Sequence, residues 1–147
     1  MSSHEEMYRE NVFELFKNPL NYGKLEGSNC SCSLSNLICG DNIFVEIILK
    51  DGEVKDIRFT GSGCAISIAC ASALSEDIKG RNEKEILGMG LNYVEDLLEI
   101  KISAGRSKCA LLFLDAVKEA LRRCGDSHRR SFDVHGEDIN KKMEEFI

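Results

Sequence analysis

Between Cys30 and Cys39 the chain alternates. Cys30, Cys32, Leu34, Asn36 and Ile38 fall on one side, and Ser31, Ser33, Ser35, Leu37 and Cys39 on the other. A period of two is that of a strand, and the serines suit an edge. A second alternating run, Ile43 to Lys50, sends Val45, Ile47 and Leu49 to one face. Asp51-Gly52 then supplies the two-residue turn of a hairpin, whose partner strand runs from Glu53 to Thr60 with Ile57 and Phe59 on one face. Elsewhere the period is helical. Residues 4 to 17 set Met7, Val12, Phe13 and Phe16 among charges, which predicts an amphipathic N-terminal helix. It should stop near Asn18-Pro19, because the residue before proline is pushed out of the helical region.

Asn18 to Gly23 reads as a turn-rich connection. The Ala, Ser and Ile run after Cys64 predicts a tightly packed helix ending near Ile78-Lys79-Gly80, with Gly80 as its C-cap. Residues 83 to 100 read as two helices split at Gly88 and Gly90, followed by a polar loop over 101 to 108. Cys109 then opens the last long helix, with Leu112, Phe113, Ala116, Val117 and Ala120 as its core stripe. From Gly125 to Ile147 the chain is polar, and only Phe132, Ile139, Met143, Phe146 and Ile147 are there to bury. A loose tail or one short helix is expected there, so the chain divides into a domain over 1–124 and a tail over 125–147.

A chain of 147 residues can build one domain with a real core, so its seven cysteines are not needed as staples. No apolar run approaches the roughly twenty residues that span a bilayer. The opening Met1-Ser2-Ser3-His4-Glu5-Glu6 is too acidic for a signal peptide. A cytoplasmic, reducing location is expected, where clustered cysteines are more often metal ligands or redox groups than disulfides. The net charge of -6, with Arg122-Arg123 and Arg129-Arg130 among its few basic doublets, argues against a nucleic-acid footprint.

Three places carry candidate chemistry: Cys39-Gly40-Asp41 at a strand end, Cys64 at a strand-to-helix corner behind Gly61 and Gly63, and Cys109 at a second helix start. A cysteine in a first helical turn meets unpaired amides and the positive end of the dipole, which favour thiolate. Three thiolates and one carboxylate complete a four-coordinate site for zinc or an iron-sulfur cluster. Arg106 and Lys108 precede Cys109 and are expected to offset the negative charge of such a site and lower the Cys109 pKa. Cys30, Cys32 and Cys70 read as small apolar fillers, Cys124 as incidental, and His128 and His135 as solvated.

Four separated motifs now occur in order: Asn18-Pro19-x-Asn21-x-Gly23; Cys39-Gly40-Asp41; Gly61-x-Gly63-Cys64-x-Ile66-Ser67 with Ala69, Ser72 and Lys79-Gly80; and Lys108-Cys109-Ala110. Over about residues 8 to 124 the chain resembles the U-type iron-sulfur cluster assembly proteins IscU, SufU and the N-terminal domain of NifU. The resemblance implies a compact α+β fold of the SufE/NifU-like kind, with a three-stranded antiparallel sheet packed with helices. It also implies a site in which Cys39, Asp41, Cys64 and Cys109 bind zinc or a nascent cluster of the [2Fe-2S] type, and a cysteine desulfurase partner that delivers persulfide sulfur. The role implied is a scaffold rather than a turnover enzyme, with Cys109 as persulfide acceptor, Asp41 as exchangeable ligand and Lys108 as electrostatic support. Apo iron-sulfur proteins would receive the cluster. Neither nucleic acid nor membrane is a partner in that reading, which admits a homo-oligomer when a cluster is bound.

Two branches of the resemblance stay open. The Isc branch has a histidine before the third cysteine and a Leu-Pro-Pro-Val-Lys segment ahead of it, where this chain has Lys108 and Ile102-Ser103-Ala104-Gly105-Arg106. Arg106-Ser107-Lys108-Cys109 is similar to the SufU branch, yet the insertion typical of that branch is missing. The alternative to a scaffold is therefore a zinc-dependent sulfurtransferase partner of a desulfurase. A structural zinc module without sulfur chemistry is a third.

Overall fold

Asp51 and Gly52 both take left-handed backbone, with φ of 55° and 75°, and so close a tight hairpin between strands β2 (Asp41–Lys50) and β3 (Glu53–Ser62). Strand β1 (Cys30–Asn36) pairs antiparallel with β2 on its other edge, giving the order β1-β2-β3. The register sets Cys30 opposite Ile47, Cys32 opposite Val45, and Val45 opposite Phe59. Side chains on one face therefore line up, and Cys30, Cys32, Ile43, Val45, Ile47, Ile57 and Phe59 are all buried. The computed structural model describes the backbone of residues 3–130 and the side chains of 10–124.

Helices α2 (Ala65–Ile78) and α5 (Ser107–Arg130) cover that face; α1 (Ser3–Lys17), α3 (Glu83–Leu87) and α4 (Leu91–Leu98) pack against them, and a 3₁₀ turn at Ala104–Arg106 leads into α5. Small residues make α2 a central helix: Ala69, Cys70, Ala71, Ser72, Leu74 and Ile78 are fully buried among α1, α4, α5 and β3. Helix α5 lies along β1 and β2 through Phe113, Ala116, Val117 and Ala120. Edge-on ring contacts, Tyr22 on Phe59 at 5.3 Å and Phe59 on Phe113 at 5.4 Å, carry one aromatic stack from the surface through β3 to α5. Among the described residues no helix is long and apolar enough to cross a membrane.

The Asn18-to-Gly23 connection is a strap. Leu20 N–H donates to Ser72 Oγ at 2.7 Å, and Asn21 Nδ2 to Ser75 Oγ at 3.0 Å, which ties it to α2. Gly23 N–H to Phe59 O, Phe59 N–H to Asn21 O, and Tyr22 Oη to Gly61 O tie it to β3. The motif residues hold the strand-to-helix corner of Gly61 to Cys64 from outside.

Three features depart from the sequence reading. Strand β1 stops at Asn36 rather than Cys39, because Asn36 Oδ1 accepts the Ile38 amide and Asn36 O the Gly40 amide, turning the chain. Leu37 and Ile38 are left 93% and 85% exposed. Helix α5 starts at Ser107 and runs through Gly125 to Arg130, so it crosses the expected end of the domain at residue 124. Cys30 and Cys124, read as filler and as incidental, are joined in a disulfide across 94 residues of sequence, which corrects the expectation that the cysteines remain thiols. The reason is antiparallel packing: the far end of α5 reaches the first residue of β1. His135 and the tail's Phe132, Ile139, Met143, Phe146 and Ile147 lie outside the described residues.

Candidate metal centre

Three connections meet at one end of the sheet: the β1–β2 turn, the β3–α2 corner and the start of α5. Gly40 is left-handed at φ 72°, which lets Cys39 and Asp41 on either side of it face the same site. Cys39 is exposed, whereas Asp41 and Cys109 are each 1% exposed. One ligand atom from each of Cys39, Asp41 and Cys109 lies within 4.8 Å of the other two. The two sulfurs are 3.1 Å apart.

Cys64 stands beside this set, and its sulfur is not one of the three converged atoms. Its backbone amide donates to Asp41 Oδ1 at 2.9 Å. Its Sγ is the N-cap of α2, accepting the Ser67 amide at 3.5 Å. Thus the structure gathers Cys39, Asp41 and Cys109 and leaves Cys64 in contact through its backbone.

Whether these residues fit a metal is decided by Asp41. Its Oδ2 is buried with no hydrogen-bond partner, a state that costs about 1–3 kcal/mol or more for a polar atom. A cation between that oxygen and the two thiolates would meet the orphan. Gly63 is what leaves room, since a Cβ there would stand 2.6 Å from Asp41 Oδ1. Two sulfurs and a carboxylate suit zinc or iron, not magnesium or calcium.

The electrostatics differ from the sequence expectation. Burial pushes the Cys109 thiol up; its contact with Cys39, and negative charge at Asp41 and Cys64, add to it. Arg106 and Lys108 were expected to pull it down, yet both are exposed, where water screens them, and neither is a cause of the shift. Lys108 lines a shallow groove with Leu34, Leu37, Ile38, Leu111 and Leu112.

Two further residues stand beside the predicted ligands. Asn36, which had no signal in the sequence, donates its Nδ2 N–H to Cys109 Sγ at 3.8 Å from the end of β1. Ser67, the last residue of the motif around Cys64, is buried with an unpartnered Oγ. Cys32 and Cys70 are buried free thiols away from the converged atoms, as fillers should be. His128 belongs to α5, in the part whose side chains lie outside the described residues.

A three-stranded antiparallel sheet backed by helices, with thiols and a carboxylate gathered at one end, defines a class of small α+β domain. The chain belongs to one family within it: the NifU-like N terminal domain, whose family model matches residues 7–131. It is 34% identical over 115 residues to the iron-sulfur cluster assembly scaffold protein IscU 1 of Archaeoglobus fulgidus, covering 78% of this chain and 74% of that protein. It is 30% identical over 134 residues to the zinc-dependent sulfurtransferase SufU of Bacillus subtilis, covering 80% and 90%. The fold is also that of a NifU-like N-terminal protein from Brucella abortus, with a TM-score of 0.71 at 20% identity over 85% of this chain and 99% of that one. U-type scaffold proteins are therefore its relatives in both sequence and fold.

Proposed function

We propose that the chain is an iron-sulfur cluster assembly scaffold: it accepts persulfide sulfur from a cysteine desulfurase, builds a [2Fe-2S] cluster as cargo with an external two-electron donor reducing each persulfide sulfur to sulfide, and passes it to apo acceptor proteins. The observation that carries this reading is the convergence of Cys39, Asp41 and Cys109 within 4.8 Å around a buried, unpartnered carboxylate oxygen. Cys64 supplies the fourth ligand once its sulfur gives up the Ser67 amide. Asp41 is a hard oxygen donor among sulfurs, and so the ligand most readily exchanged when cargo leaves.

Sulfur delivery follows from thiol chemistry. A thiolate attacks the outer sulfur of the desulfurase persulfide; a new protein persulfide forms and the partner's cysteine leaves as thiolate. Cys39 is the exposed thiol, so it is where sulfur enters. Cys109, 3.1 Å away, then takes the sulfur in a second attack of the same kind and holds it as the acceptor. Nothing in this cycle is a turnover of substrate by the scaffold itself.

Anaerobic reconstitution with iron and sulfide tests the proposal. Visible charge-transfer absorption that disappears as an apo acceptor gains its cluster supports it. Tightly held zinc, no colour on reconstitution and faster desulfurase turnover would replace it with the second reading, a zinc-dependent sulfurtransferase. Arg106-Ser107-Lys108-Cys109 and the likeness to SufU favour that alternative.

A further inference from the structure

We propose that Cys30 and Cys124 form a second thiol site, separate from the metal centre, which closes to a disulfide on reaction with small-molecule disulfides and reopens under thiol reductants. Strand β1 and helix α5 run antiparallel. At one end Asn36 meets Cys109 at 3.8 Å; at the other Cys30 meets Cys124. Seven strand residues and four helical turns both span roughly 20 Å, so these contacts tie the same two elements at both ends. The Cα atoms of Cys30 and Cys124 are 5.4 Å apart, a separation at which a disulfide forms without backbone movement. Each residue is 5% exposed, whereas Cys70 in the middle of the core is 0% exposed, so the pair lies nearer the surface than the core thiol does.

Asn29 makes the site fit both redox forms. Its Oδ1 is 3.6 Å from the Cys30 sulfur and its carbonyl oxygen 3.4 Å from the Cys124 sulfur. In the open form each S–H therefore has an acceptor, and no buried donor is orphaned. Asn29 is itself fixed, with N–H to Ile47 O at 3.0 Å, Nδ2 to Leu49 O at 2.7 Å and Oδ1 from Leu49 N–H at 2.8 Å. Cys32, two residues along the same strand face, stays out of the exchange: its sulfur lies 3.8 Å from Ser33 O, and burial keeps it protonated.

The closing step balances without another reagent. One cysteine thiolate attacks the small disulfide and releases a first small thiol; the second then attacks the protein-bound mixed disulfide and releases another. The two protein S–H protons end on the released thiols. Closure fixes α5, which carries Cys109, along β1, which leads to Cys39. A cross-link over 94 residues also restricts the unfolded chain strongly.

The test is disulfide mapping of the full chain after treatment with oxidised glutathione and alkylation. A peptide pair joining Cys30 to Cys124, a chain about 2 Da lighter, and reversal by dithiothreitol are expected. The melting temperature should fall by roughly ten degrees on reduction, and Cys124→Ser should remove that response. Cys30 and Cys124 both alkylated after oxidation would overturn the proposal, as would glutathione retained on either one or a link from either to Cys32. Mapping needs no variant, so the outcome stands even if Cys124→Ser does not fold, and it is independent of what the metal centre binds.

Discussion

The backbone amide of Cys64 donates to Oδ1 of Asp41 at 2.9 Å, so the cap of α2 holds the first residue of β2. This bond aims the unpartnered Oδ2 while the backbone of α2 stays fixed, and it exists because position 63 has no side chain.

Gly63→Ala should therefore injure the centre more than the fold. The added Cβ would stand 2.6 Å from Oδ1 and 3.0 Å from Cγ, so Asp41 must move and release the Cys64 amide. Disturbing a hydrogen bond that orients a ligand lowers metal affinity by about 10–100-fold. Zinc competition against a chromophoric chelator measures this, with circular dichroism to show that the sheet and helices persist. Unchanged affinity in a folded variant would remove Asp41 from the ligand set.

Asp41→Ala separates holding cargo from releasing it. Cys39, Cys64 and Cys109 remain, so cluster or zinc should still bind. Transfer to an apo acceptor should slow by tenfold or more, about 1.4 kcal/mol in the barrier, because the exchangeable oxygen donor is gone. Transfer is followed by the rise of the acceptor's own absorption. A variant that transfers faster than the wild type would end that role for Asp41.

How far the sequence reached can be judged at single residues. The hairpin was legible because Asp51-Gly52 demands positive φ, and the break between α3 and α4 because Gly88 and Gly90 interrupt a helical run. Motif order named Cys39, Asp41, Cys64 and Cys109 together, and the structure converges Cys39, Asp41 and Cys109; that Cys64 spends its sulfur on the Ser67 amide was not legible, because a cap and a ligand occupy the same helix start. Contacts between distant elements left no mark. Asn36 on Cys109, Lys118 Nζ on the Met89 carbonyl, and Cys30 with Cys124 each depend on how α5 lies over its neighbours, which periodicity does not encode.

Cys70 makes alkaline stability a readout of burial. Its thiol is pushed from the ordinary 9.0 up to about 12, chiefly by burial and then by negative charge at Cys64. Below pH 9 folded and unfolded chains both keep the proton, and the contribution is constant. Between 9 and 12 only the unfolded chain releases it, so stability falls as pH rises. Over that window the wild type should lose up to about 1.4 kcal/mol per pH unit more than Cys70→Ala. Urea unfolding at several alkaline pH values gives the two slopes, and parallel slopes would contradict the assignment.

Lys108 is expected to act on the encounter with the sulfur donor rather than on the Cys109 thiol. It is exposed beside the groove of Leu37 and Ile38, while Cys109 is buried below it and shifted upward by burial and by its anionic neighbours. An exposed charge at the rim of a contact changes how often partners meet and how steeply salt slows them, more than it changes the buried chemistry. Lys108→Met should therefore raise several-fold the concentration of this protein that half-saturates sulfur transfer from a desulfurase, weaken the salt dependence, and leave the maximal rate alone. Lys108→Arg should restore both. Cys109 in the metal-free Met variant should alkylate with the pH profile of the wild type. A profile displaced to higher pH, with a lower maximal rate and unchanged half-saturation, would instead return Lys108 to direct electrostatic support of the thiolate.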